Sequence, residues 1–176
     1  MNRSTLLQPL YRAAAANRRW PECIIEWAVE SLTRGVDTPS LRILAGLHSD
    51  SYESDVTAYY SSALAELGEI PPSQVERRLG VLRVVAREII DGDVAPSDGV
   101  SRIHALVVSP LNHPPSLQRW CYLDDGLVAA LGSNRVESVA GPALDAAIKA
   151  LALEFLAADA EEQLRHLEVE ADGGAT

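Results

Sequence analysis

Three short joints, each running from a glycine to a proline within six residues, constrain this chain more than any other feature of its sequence. They begin at Gly35, Gly68 and Gly92. A glycine after an apolar helical pattern favours the left-handed turn that ends a helix. A proline in the first position of the next helix loses no hydrogen bond. The joints therefore predict successive helices connected by short loops.

The segments between the joints carry apolar residues at helical spacing, which predicts an all-α fold. We expect an irregular multi-helix bundle or a short αα-hairpin solenoid of about seven helices. The joints lie 33 and 24 residues apart, so a strict repeat such as a tetratricopeptide array is not expected. A chain of 176 residues suits one domain, placed at residues 1–167, with a disordered acidic tail at 168–176.

The helix boundaries follow from capping patterns and apolar stripes. Capping boxes are predicted at Asp50–Glu53 and at Asn134–Glu137. The last helix changes its buried face near its middle. The predicted helices are 10–17, 21–34, 39–48, one from the first capping box to Gly68, 72–91, one ending before Pro110, 117–131 and 142–167.

The net charge of −10 is unevenly distributed, because residues from Trp120 onward contribute −8 of it. Phosphate backbones repel an acidic protein, so nucleic-acid binding is not expected. The acidic C-terminal third suits a basic protein partner, although solubility alone explains it more simply. No run of about 20 apolar residues predicts a membrane span.

Two features of the sequence indicate the cellular compartment of the protein. Cys23 and Cys121 form neither a disulfide framework nor a metal-binding motif, and free thiols indicate a reducing compartment. No signal peptide is recognised, so a cytoplasmic location is expected. Fourteen of the fifteen basic residues are arginine, a bias that suits a GC-rich bacterial genome.

Three clusters contain residue types that could carry chemistry, and each has a simpler structural interpretation. His48 lies near Asp50, Glu53 and Asp55, which indicates a helix start more than a metal site. The Asp124–Asp125 pair suits a turn or a helix start, and Cys121 near His113 suits a buried, inert thiol. We therefore predict no catalytic residue, no metal site and no cofactor.

Function is predicted as a non-catalytic role in protein–protein interaction or regulation, of the immunity or antitoxin type. The candidate partner surface comprises Trp20, Trp27, Leu153, Glu154, Leu156 and Leu164. A core position is the favoured alternative for both tryptophans. A second hypothesis is an enzyme or small-ligand binder with an inter-helix pocket near His113, Asp124 and Asp125. A third is a structural subunit of a homo-oligomer, built through Leu153, Leu156 and Leu164.

The segment from Trp27 to Leu47 contains a Trp-Ala helix, a glycine and the run Thr-Pro-Ser-Leu-Arg-Ile-Leu-Ala-Gly-Leu. This segment resembles a family of small, uncharacterised helical proteins of bacteria. The resemblance covers about an eighth of the chain. It implies an all-helical fold and no particular activity.

Overall fold

A computed structural model describes residues 3–132 and 140–173, and these residues form nine α-helices and no strand. The predicted all-α class is confirmed, whereas the predicted count of about seven helices is too low for the described residues. The helices are α1 Arg3–Ala15, α2 Trp20–Thr33, α3 Pro39–Ala45, α4 Glu53–Glu66, α5 Gln74–Asp91, α6 Pro96–Ile103, α7 Gln118–Gly132, α8 Ala140–Ala157 and α9 Ala160–Gly173. None of them combines the length and apolar character that a bilayer-spanning helix requires.

The chain divides into two compact units, Met1–Ser73 and Gln74–Thr176. The single domain, and the arrangement of all helices as one bundle or solenoid, stay predictions. In the first unit α2 packs against α1, α3 and α4. Trp27 on α2 is fully buried, and its indole N–H donates to the Leu6 carbonyl at 2.8 Å. The ring of Tyr60 meets Trp27 edge-on at 5.3 Å, so this indole anchors the core of the unit.

All three predicted glycine stops are present, with φ of 82° at Gly35, 73° at Gly68 and 84° at Gly92. After each glycine, the next backbone N–H returns to a carbonyl five residues earlier. Those bonds run from Val36 to Ser31, from Glu69 to Leu64 and from Asp93 to Glu88. This is the Schellman arrangement, which satisfies carbonyls that a helix end would otherwise leave without a partner.

The second unit is built on α5, which packs against α6, α8, α9 and the turn that follows α6. Leu82, Val85, Ala86 and Ile89 on α5 are fully buried. The predicted helix 142–167 is instead two helices, because Asp159 interrupts it. The Asp159 carboxylate accepts from the backbone N–H of Glu162 at 2.8 Å and so caps the start of α9.

Several boundaries differ from prediction. Helix α1 passes through Pro9, whereas a start after that proline was expected. Burial of the apolar stripe Leu6, Leu7 and Leu10 offsets the hydrogen bond that Pro9 removes. Helix α9 continues to Gly173, through much of the segment predicted to be disordered.

The two predicted capping boxes have different outcomes. Helix α4 begins without a side-chain cap, so the box at Asp50–Glu53 is not formed. The box at Asn134–Glu137 lies outside the described residues.

Candidate functional site

The first element of the site is a break in regular helix directly after α6. Residues His104–Val108 form a π-helical turn, with Val107 and Val108 fully buried. Pro110 has no N–H to offer the Leu106 carbonyl four residues earlier. The guanidinium of Arg78 on α5 donates to that carbonyl instead, at 2.6 Å. The π-helical turn that begins at His104 is therefore held from α5, and such turns are frequent at functional sites.

The second element is a sharp reversal at Asn112 and His113. Both residues have left-handed backbone, with φ of 59° and 55°. The His113 N–H donates to the Val108 carbonyl at 3.0 Å, and Pro114 and Leu117 are buried just beyond. Left-handed conformations at residues other than glycine are uncommon and persist when the surrounding structure enforces them. The reversal brings the exposed imidazole of His113 back towards α6.

Three side chains from separate segments converge at this corner of the second unit. The Cys121 sulfur on α7 lies 3.7 Å from Nδ1 of His113. The imidazole rings of His104 and His113 are 5.3 Å apart. One ligand atom from each of His104, His113 and Cys121 lies within 4.8 Å of the other two. We call these residues the His-His-Cys cluster.

The carboxylate of Asp124 orients one member of the cluster, His104. Asp124 lies one turn after Cys121 on α7, and its Oδ2 is 3.3 Å from Nδ1 of His104. Its other oxygen, Oδ1, accepts from the Ser101 hydroxyl at 2.7 Å. A proton on Nδ1 of His104 would be held by Asp124, leaving Nε2 with its lone pair free. This is the supporting arrangement that metal-binding histidines usually have.

The local charges oppose use of Cys121 as a free nucleophile. Burial raises the pKa of the Cys121 thiol, and the carboxylates of Asp125 and Asp124 raise it further. A thiolate paired with the His113 imidazole would need the opposite environment, with a lowered pKa.

The structure brings some sequence-predicted residues together and separates others. His113 belongs to the His-His-Cys cluster, Asp124 contacts it through His104, and the exposed Asp125 follows Asp124 on α7. Trp27 is buried, so it cannot contact a partner while its unit is folded. Trp20 is half-buried and meets Tyr60 edge-on.

The remaining predicted residues lie on the C-terminal helices. Leu153 is 55% exposed, whereas Leu156 and Leu164 are half-buried. Glu154 pairs with Arg119 at 2.5 Å, and both side chains are mainly exposed. Hydrogen bonding to Arg119 lowers the pKa of Glu154. Glu154 therefore lies on an exposed face and also has an arginine partner.

A groove of about 310 Å³ runs between α7, α8 and α9, and we call it the α8–α9 groove. Trp120 lies at its base, and the ring of Phe155 meets Trp120 edge-on at 6.2 Å. Asp159 and Glu162 line its rim.

Sequence reasoning did not single out His104, although it considered Cys121 with His113. The three cluster residues are spaced nine and eight apart, which matches no helical or familiar metal-binding period. The available signal was the proline-rich segment between them, because a broken helix allows distant residues to meet.

The comparisons with known proteins give no family for this chain: no family model matches it, and no significant match was found among curated proteins or solved structures.

Proposed function

We propose that this protein binds one transition-metal ion through the His-His-Cys cluster, with Zn²⁺ as the best-fitting ion. The convergence of three ligand atoms within 4.8 Å carries this proposal. Tetrahedral zinc with bonds of about 2.3 Å to sulfur and about 2.05 Å to nitrogen places those two atoms about 3.5 Å apart. The observed distance between Cys121 and His113 is 3.7 Å, so little movement is required.

The ligand types select the class of metal. One thiolate and two imidazoles suit zinc and other borderline or soft ions, whereas calcium and magnesium require oxygen ligands. Three protein ligands also leave one position of a tetrahedral ion for water or a small molecule. The proposal thus develops the predicted small-ligand site near His113, without assigning a reaction. A reducing compartment such as the bacterial cytoplasm would keep Cys121 available as a ligand.

Calorimetric titration of the purified protein with Zn²⁺ tests the proposal. We expect one ion per chain, and loss of that binding in each of His104→Ala, His113→Ala and Cys121→Ser. His166→Ala is the matched control, because His166 lies in the same unit and pairs with Glu170. Unchanged zinc binding in all three cluster variants would refute the site.

The two cysteines provide an independent readout. Cys23 is fully buried, and its burial raises its pKa to about 11, so it should resist thiol reagents. Cys121 is only partly buried and should react first. We expect Zn²⁺ to slow modification of Cys121 by an aromatic disulfide reagent, and a chelator to reverse the protection. Equal rates with and without zinc would contradict metal binding by the thiol.

Protein–protein interaction is the second candidate, favoured by the exposure of Leu153 on α8. Interfaces place apolar side chains at their centre and polar or charged ones at their rim, and Leu153 and Glu154 could take these two roles. We propose a basic protein or a second copy of the chain as the partner. Analytical ultracentrifugation of Leu153→Asp against the parent protein tests the second case. If both proteins are monomers, the homo-oligomer hypothesis is excluded.

A further inference from the structure

We infer that the α8–α9 groove binds a small organic amine, independently of the metal site. The groove has an apolar base and an acidic rim, which together suit a ligand with a hydrophobic body and a positive charge. Trp120, Leu151 and Leu167 at the base are buried. The ring of Phe155 completes this surface at the edge-on distance from Trp120. An aromatic or branched aliphatic group can pack against these side chains.

The rim of the groove carries carboxylates that are not neutralised by direct contact. Arg119 and Glu154 form an ion pair, so their charges largely cancel. Asp159 and Glu162 form no ion pair with any described residue, and the one contact between them is the helix cap of α9. An ammonium group at this end of the groove would meet two negative charges.

Arg83 on α5 is another cation at this end of the groove, and its donors are bonded to the protein itself. The Arg83 guanidinium donates to the carbonyls of Leu156 and Ala158 at 3.1 and 3.4 Å, and to the Gln163 side chain at 2.7 Å. It therefore caps the C-terminus of α8, where positive charge offsets the helix dipole. Arg83 keeps its positive charge, which interacts with the nearby Asp159 carboxylate. The two carboxylates of Asp159 and Glu162 still outnumber this one cation, so the rim carries net negative charge and favours cations.

The groove volume sets the size of the ligand. About 310 Å³ is at the lower end of small-molecule sites, which suits one ring with a short amine-bearing chain. A folded protein partner would contact a much larger area. We therefore assign a small amine to the groove and treat a basic peptide as a competing result.

Nuclear magnetic resonance of the indole N–H groups provides the test. The probes are phenethylamine, its neutral analogue 2-phenylethanol and the anion 3-phenylpropionate. We expect phenethylamine to shift the Trp120 signal in a saturable manner, with weaker binding of the alcohol and none of the anion. Trp27 is the internal control, because its indole is buried in the other unit and bonded to Leu6.

A matched pair of variants tests the role of charge. Glu162→Gln should weaken phenethylamine binding by up to about fivefold, the usual limit for an exposed charge pair. Glu161→Gln removes the same charge from the adjacent residue, which does not line the groove, and should change affinity less. Equal effects of the two variants, or equal binding of amine and anion, would overturn the inference. So would a lysine-rich peptide that shifts Trp120 while phenethylamine does not.

Discussion

The close packing of α6 against α5, one turn before His104, allows one prediction to be developed in detail. Gly99 on α6 is buried against Ile89 on α5. A Cβ added at Gly99 would lie 2.4 Å from Cγ1 and 2.5 Å from Cδ1 of Ile89. Carbon atoms normally approach to about 3.5–4.0 Å, so Gly99→Ala creates an overlap of about 1 Å with a fully buried side chain.

Two effects of Gly99→Ala oppose each other. Alanine in a helix interior is favoured over glycine by about 1 kcal/mol. Overpacking of a well-filled core costs about 1–3 kcal/mol, and the overlap with two atoms of Ile89 places this site at the upper end. We therefore expect Gly99→Ala to lower the free energy of unfolding by about 1–2 kcal/mol.

Urea unfolding of four proteins measures this effect: the parent, Gly99→Ala, Ile89→Ala and the double variant. Ile89→Ala alone should cost about 2–5 kcal/mol. The double variant should lose less than the sum of the single losses, because the added methyl enters the space left by Ile89. Gly126→Ala is the control, since Gly126 is exposed on α7 with only Leu144 as near as 4.0 Å. Stabilisation by Gly99→Ala, or strict additivity, would refute the packing argument.

Three further predictions concern other contacts. Hydrogen bonds from Thr38 and then Ser40 lower the pKa of Glu66, so the ionised carboxylate stabilises the fold at neutral pH. Glu66→Gln should therefore be less stable than the parent near pH 7, and the difference should vanish as the pH falls through that lowered pKa. Trp27→Phe should cost about 2–4 kcal/mol in urea unfolding, because it removes buried volume and the indole hydrogen bond to the Leu6 carbonyl. Asp124→Asn should weaken zinc binding by about 10–100-fold in calorimetry, because the carboxylate orients His104. Asp125→Asn removes the same charge beside Cys121 without a contact to His104, and should weaken binding less.

Local chemistry made the three glycine stops predictable from sequence, and two of the three proline starts, since α5 begins at Gln74 and not at Pro72. Positive φ at Gly35, Gly68 and Gly92 follows from the low steric cost of this conformation for glycine. At the first joint, the Thr38 hydroxyl accepts from the Leu41 N–H, as its cap position predicts. Such signals depend on a few neighbouring residues, so a single sequence is sufficient to read them.

Features that depend on tertiary packing were less predictable. The sequence indicates that the buried face changes within 142–167. That change does not by itself reveal its cause, which is a break between two helices at Asp159. The pattern of Asp159 followed by Glu162 three residues later was the available capping signal. The His-His-Cys cluster was hidden for a different reason, because its formation requires the left-handed pair at Asn112 and His113.

X-ray absorption at the zinc edge of the zinc-loaded protein tests metal binding by the cluster most directly. The account predicts one sulfur at about 2.3 Å and two imidazole nitrogens at about 2.0 Å, with a lighter fourth ligand. The sulfur contribution should disappear in Cys121→Ser. A spectrum with only oxygen and nitrogen ligands in the parent protein would contradict the account.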